Sequence, residues 1–374
     1  MVASDLVGRL AARALGFAAA ATLAVLAPRI AWWAKPARTL EVVIVDKTVP
    51  FRNMREHAAI PWILHAQKIE NGLGRFLDPT RDYVGFDPIA RAGRDLVPAD
   101  VAYADVLFLA DTYGVYVGDY QQSGDQAALE RSPKIYGGLS DDEAKVIDHF
   151  ASRGGMVIGE FNTFASPTED VPRARLEARF GVRWTKWVAR YWPNLQDPNE
   201  VPRWVGRVYE HVTGRPYDLT GGGLVFVRED TDIAVLRNGE DLGPGVVSQE
   251  RLPAGTAFGF PERGGFRYWM DILVATDAEV LYEHVVDTTP AGARSLAAHG
   301  LPRRFPALTK LRDVWYFAGD FVDNSLDLGN PELAALLAYR EERVGCSRGA
   351  TLEESFFWGW YVPIVSRLLA SRAR

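Results

Sequence analysis

The chain has 374 residues, 24% of them charged and 48% hydrophobic, with a single cysteine and a formal net charge of −6. One cysteine excludes an intrachain disulfide, a thiolate metal cluster and a CxxC redox pair. Residues 1–38 hold five basic side chains and one acidic, leaving 37 basic against 47 acidic in the rest, and a body that acidic argues against nucleic acid as partner.

Leu15 to Leu26 (LGFAAAATLAVL) is an uncharged apolar run between Arg9/Arg13 and Arg29/Lys35/Arg38. Counted on through Trp33, with Pro28 and Arg29 at the interface, it reaches about the 20 residues of one helical crossing and places Trp32 and Trp33 at headgroup level. The expectation is an N-terminal transmembrane helix over residues 1–38, a retained signal-anchor. It implies a single-pass membrane protein whose body lies outside the cytoplasm. Two alternatives are a cleaved signal peptide, which the context APRIAWWAKP fits poorly, and an amphipathic helix of a soluble chain.

The body opens with LEVVIVDKTV, a β-branched run of the kind that forms a buried parallel strand. REHAAIPWILHAQKI has helical spacing, DYVGFDP reads as a short second strand, and ADVLFLADTYG reads as a third that breaks at Gly114. Ser140 with Glu143 forms a capping box, and the helix it opens stops at Gly154-Gly155 before a fourth strand, MVIGEFNTF. Alternation of this kind predicts an α/β fold with a doubly wound, mostly parallel, flavodoxin-like sheet, because parallel neighbours need crossover connections. From residue 176 to 270 the texture turns aromatic and irregular, with GGGLVFV, IAVL, GVVSQ and TAFGF as short strands of an antiparallel β-rich addition. AEVLYEHV is a further strand, FPALTKLRDVWYFAGDF a hairpin, and Pro331–Arg343 an Ala/Leu-rich helix; the end, SFFWGWYVPIVSRLLASRAR, is apolar enough to pack on the body or to lie on a membrane. The predicted organisation is an anchor over 1–38, an α/β domain over 39–325 with its insertion at 176–270, and a helical tail over 326–374.

The order of elements, with a capped helix followed by GGMVI and a late PALTK…VWYFAGDF hairpin, resembles the class I glutamine amidotransferase-like superfamily, including its ThuA-like and other non-amidotransferase branches. The similarity spans roughly residues 40–325 and rests on pattern. The resemblance implies a nucleophilic cysteine in a Gly-x-Cys-x-Gly elbow after a central strand and a His-x-Glu pair far downstream. The elbow-like position here reads Ala110-Asp111-Thr112-Tyr113-Gly114, the late hairpin offers no His-x-Glu, and Cys346 lies beyond the resembling region. Glutamine hydrolysis by the family mechanism is therefore not expected.

In open α/β sheets ligands bind beyond the carboxyl ends of the strands. Asp46 and Lys47 end the first strand, Asp111, Thr112 and Tyr113 the third, Glu160 and Asn162 the fourth, and Asp320 the last. Asp46, Asp111 and Glu160, with His57 as a base, are the candidate catalytic residues; Lys47, Thr112, Tyr113, Asn162 and Asp320 are the candidate ligand-binding ones. No cofactor is required and no metal-ligand motif is present, although three carboxylates facing one crevice are able to hold a divalent cation. The competing structural assignment has Lys47 neutralising Asp46, with Asp111 and Glu160 capping helices and turns. Trp184, Trp187, Tyr191, Trp192 and Trp204 either stack on sugar rings or form a small satellite core. Two functions follow: a domain without the catalytic triad that binds a small polar or carbohydrate ligand, or a carboxylate- or metal-dependent hydrolase of cell-envelope carbohydrate.

Overall fold

The computed structural model describes residues 26–120, 132–229, 231–323, 326–334 and 351–374, together with residues 13, 15–17 and 22–23. The apolar runs of the first half become β1 (Val42–Asp46), β2 (Val84–Asp87), β3 (Ala92–Gly93), β4 (Val106–Leu109) and β5 (Met156–Gly159). The second half supplies β6 (Val182–Trp192), β7 (Gly223–Arg228), β8 (Asp232–Arg237), β9 (Leu242–Arg251), β10 (Arg263–Gly264), β11 (Met270–Ala275), β12 (Glu279–Thr288), β13 (Arg304–Leu311) and β14 (Val314–Phe317). Ten of these strands form one sheet in the order β10-β9-β12-β13-β14-β5-β4-β1-β2-β3.

Neighbours from β14 through β5, β4 and β1 to β2 are parallel. These strands are apolar on both faces because each face is covered. Alternate residues of β1 and β4, such as Ile44 and Phe108, join a core with α1 (Ala59–Ala66) and the C-terminal segment. Their neighbours Val45, Leu107 and Leu109 join a second core with α2 (Asp141–Ser152) and α3 (Asp170–Phe180). The Ser140–Glu143 capping box starts α2 as its sequence predicts.

The sheet as a whole is mixed, which corrects the mostly parallel expectation. After the β13–β14 hairpin, strands β13, β12 and β9 pair antiparallel in a continuous run. A second, four-stranded antiparallel sheet has the order β8-β7-β6-β11. The tryptophan group divides among the cores instead of forming one surface. Trp184 and Trp187 belong to the two large cores, while Trp192 is buried in a satellite core against which Trp204 and Trp269 pack.

No helix among the described residues is long and apolar enough to cross a membrane, which overturns the expected transmembrane helix and the single-pass membrane location. Much of the Leu15–Leu26 run lies outside the described residues. The residues that follow it dock on the body: Trp32 Nε1 donates to the His65 carbonyl at 3.0 Å, its ring lies against His65 and Phe76, and Arg29 pairs with Glu332 at 2.6 Å. Trp32, expected among headgroups, is thus held by protein. Of the helix expected over Pro331–Arg343, a short turn at Pro331–Leu333 is described, and the remainder lies outside the described residues, as does Cys346. The apolar end of the chain packs on the body: a π-helical turn at Phe357–Tyr361 leads into α4 (Val362–Arg372), and Phe357, Trp360, Tyr361 and Leu369 are buried.

Candidate functional site

The chain passes from β1 to β2 on one side and then returns to place β4 on the other side of β1. That reversal opens a crevice between the carboxyl ends of β1 and β4, where doubly wound sheets bind ligands. Asp46 closes β1, and the Lys47 N–H donates to the Asp111 carbonyl at 2.8 Å, tying the two strand ends together. Glu160 follows β5 directly and Asp320 follows β14, with the Asp320 N–H donating to the Trp269 carbonyl at 3.0 Å. Asp46, Asp111, Glu160 and Asp320 are all buried at this one edge. The loop after β1 turns back at Met54, which takes φ +51°, and so returns Arg55, Glu56 and His57 to the same edge. Gly114 sits where a Cβ would come 2.1 Å from the Tyr136 carbonyl, so the chain leaves the site by a turn that requires glycine.

The carboxyl groups differ in what they bond. Asp46 Oδ2 meets His57 Nδ1 at 2.5 Å and Oδ1 accepts the Thr48 N–H. His57 Nε2 faces the Pro79 carbonyl at 2.8 Å, so both ring nitrogens are engaged and neither is left as a free base in the crevice. Asp323 forms a two-pronged ion pair with Arg55. Glu160 accepts the Tyr361 hydroxyl at 2.5 Å on Oε1 and the Val322 N–H at 3.0 Å on Oε2. Asp111 Oδ1 accepts the Thr48 hydroxyl at 2.9 Å and the Tyr113 N–H at 2.6 Å. Glu56 Oε2 is buried without a hydrogen-bond partner among the described residues.

Burial and mutual repulsion move these groups in one direction. Burial, with the nearby Asp46 charge, pushes the Asp111 carboxyl up to about 7. Burial pushes Glu160 up to about 8, against hydrogen bonds from Tyr361 and the Val322 amide that favour its anion. Glu56 and Asp320 are held well above the usual carboxylate range, first by burial and then by the Asp323 charge. All four shifts run upward, and carboxyl groups perturbed in this way cluster at functional sites.

Four residues expected to bind ligand are placed otherwise. Lys47 follows Asp46 directly, and adjacent strand residues point to opposite faces. Its ammonium is buried against Glu143 at 2.6 Å, the Gly138 carbonyl at 2.8 Å and Asp95 at 3.1 Å, so it does not neutralise Asp46. Thr112 is buried and donates to the Asn162 carbonyl at 2.9 Å, a bond that ties the loops after β4 and β5 together. Asn162 takes φ +65° at that bend. Tyr113 is 43% exposed, and its ring lies tilted against that of Tyr116, with 4.8 Å between centroids.

The candidate set lacked Glu56, Asp323 and Tyr361. Glu56 was legible as the neighbour of His57 in the Arg55-Glu56-His57 triplet, and Asp323 as the second acid in GDFVD. Tyr361 reaches Glu160 from 201 residues away in sequence, and no local pattern announces it.

The fold and crevice define an α/β protein with a strand-end acidic site. No protein-family model matches the chain, and no curated protein sequence does. Among solved structures it is similar to a glutamine amidotransferase from Thermotoga maritima, with 9% identity and a TM-score of 0.35 over 89% of this chain and 97% of that one. It is similar also to a putative ThuA-like protein from Bacteroides uniformis, with 9% identity and a TM-score of 0.36 over 86% of this chain and 96% of the other. A β-galactosidase from Bacillus circulans sp. alkalophilus is similar over 82% of this chain and 31% of its own length, with 12% identity and a TM-score of 0.33. At such scores the likenesses carry no argument about activity, and the site is judged on its own geometry.

Proposed function

We propose that the chain is a binding domain whose strand-end crevice takes a small polar ligand of the carbohydrate type, without hydrolysing glutamine. One observation carries this reading: several buried carboxyl groups converge at the switch point, and some of their oxygens have no hydrogen-bond partner among the described residues. Carboxyl groups near half-protonation both donate and accept, which suits hydroxyl groups that do the same. A few convergent polar groups in a concave site are the usual means of fixing such a ligand.

The test is thermal shift at neutral pH against a panel of mono- and disaccharides. The wild type is expected to melt higher with at least one of them, and Asp111→Asn is expected to lose that rise while keeping its own fold. A panel without any rise refutes the reading. The hydrolase alternative is favoured by Asp111 at about 7 and Glu160 at about 8, since a carboxyl that keeps its proton at neutral pH serves as a general acid. Turnover of chromogenic aryl glycosides that disappears in Asp111→Asn would replace the binding reading with that one. No ammonia is expected from glutamine, because the elbow-like position holds Asp111-Thr112-Tyr113.

A further inference from the structure

We propose that Glu56, Asp111 and Asp320 form a site for a hard divalent cation, calcium or magnesium. This rests on the crevice being the binding site and names an ion it holds. Three of the six carboxyl groups at this edge are already matched: Asp46 by His57, Asp323 by Arg55, and Glu160 by the Tyr361 hydroxyl and the Val322 amide. Of the other three, Asp111 is matched on one oxygen only, and Glu56 and Asp320 have no side-chain hydrogen bond among the described residues. Asp320 is 5% exposed, and its side chain makes no hydrogen bond or ion pair among the described residues. Glu56 Oε2 is buried without a partner, and its Oε1 has the Arg55 Nε at 3.7 Å, a nitrogen already committed to Asp323. Asp111 uses Oδ1 for Thr48 and Tyr113, which leaves Oδ2.

One oxygen from each of Glu56, Asp111 and Asp320 lies within 4.8 Å of the others. That is no wider than the span across a cation holding two oxygens on opposite sides at about 2.4 Å. Buried polar atoms without partners require an explanation in a native protein, and a bound cation supplies one by satisfying these oxygens and cancelling their repulsion. The donor set is all oxygen, and His57 has both ring nitrogens engaged elsewhere, so the site suits calcium or magnesium over zinc or copper.

The experiment is calorimetric titration of EDTA-stripped protein with calcium chloride and, separately, magnesium chloride, with no saccharide present. Binding of one ion per chain by at least one of the two, with a rise in melting temperature, is expected. Asp320→Asn and Glu56→Gln should each weaken that binding about tenfold or more. In the metal-free state both variants should melt no lower than wild type, because neither removes a hydrogen bond and Glu56→Gln gives up only the 3.7 Å contact with Arg55. Two variants are used so that a folding failure in one leaves the other decisive. The proposal is overturned if neither ion binds at about 10 mM, above the weakest dissociation constants of such calcium sites, or if both variants bind as wild type. Saccharide binding that survives EDTA, with no ion binding, would remove the cation and leave the proposed function standing. Ion binding without any saccharide response would do the reverse.

Discussion

Lys47→Met should lower the melting temperature on the order of 10 °C. The Lys47 ammonium is 1% exposed and holds Glu143, itself 1% exposed, at 2.6 Å, with the Gly138 carbonyl and Asp95 completing its shell and the Tyr136 ring 4.7 Å away. Methionine keeps the volume and removes the charge, which strands the Glu143 carboxylate in the core. Breaking one side of a buried pair costs about 3–5 kcal/mol, and larger domains lose roughly 2–4 °C per kcal/mol. Glu143 also closes the capping box of α2 and accepts the Leu96 N–H at 3.1 Å, so the damage should spread to that helix and the loop before β4. The double variant Lys47→Met/Glu143→Gln should recover part of the loss, since it leaves no unpaired charge. A Lys47→Met melting point within about 2 °C of wild type would show that the pair is not structural. Ligand binding by the folded fraction should be unchanged, because Lys47 faces away from the crevice.

The β-branched and apolar runs announced β1, β4 and β5 because strands buried on both faces have no polar alternation to hide. The α2 start was equally plain, since Ser140 and Glu143 satisfy each other locally. Asp46, Asp111, Glu160 and Asp320 could be read as neighbours because each ends a strand of the same sheet, and the strand ends share one edge. Which of them would find partners was not legible. The matches depend on Arg55 meeting Asp323 and Tyr361 meeting Glu160, both between segments that are distant in sequence. The sequence also favoured a membrane role for a Trp-flanked apolar run, because the partners of Trp32, His65 and Phe76, are brought to it only by the folded body. The antiparallel half of the sheet was underweighted for a similar reason: β9 and β12 are long but polar-punctuated, and their pairing depends on strands 30 or more residues apart.

Raising the pH from 5 to 8 should destabilise the protein, against the common pattern in which paired carboxylates make neutral pH the more stable. Glu160 is raised from 4.5 to about 8 and Asp271 from 3.8 to about 7, in each case first by burial. Asp271 is a buried residue of β11, with the Tyr316 hydroxyl donating to it. Below about pH 4 both groups carry a proton whether the chain is folded or not, and they contribute no pH dependence. Above that, the unfolded chain loses these protons first, so the native state binds more of them and stability falls as pH rises. The loss runs to about pH 7 for Asp271 and about pH 8 for Glu160, and then levels off. At about 1.4 kcal/mol per pH unit, three units per group set a ceiling on the order of 4 kcal/mol each. Thermal melts in EDTA at pH 5, 6, 7 and 8 should show the decline. Asp271→Asn should flatten it below pH 7, and Glu160→Gln, whose amide nitrogen can turn toward the Tyr361 oxygen, should flatten the part up to pH 8. A wild-type melting temperature that holds steady or climbs from pH 5 to 8 would mean that these carboxyl groups ionise freely in the folded chain, and the crevice would then lack the low-polarity surroundings on which its chemistry depends.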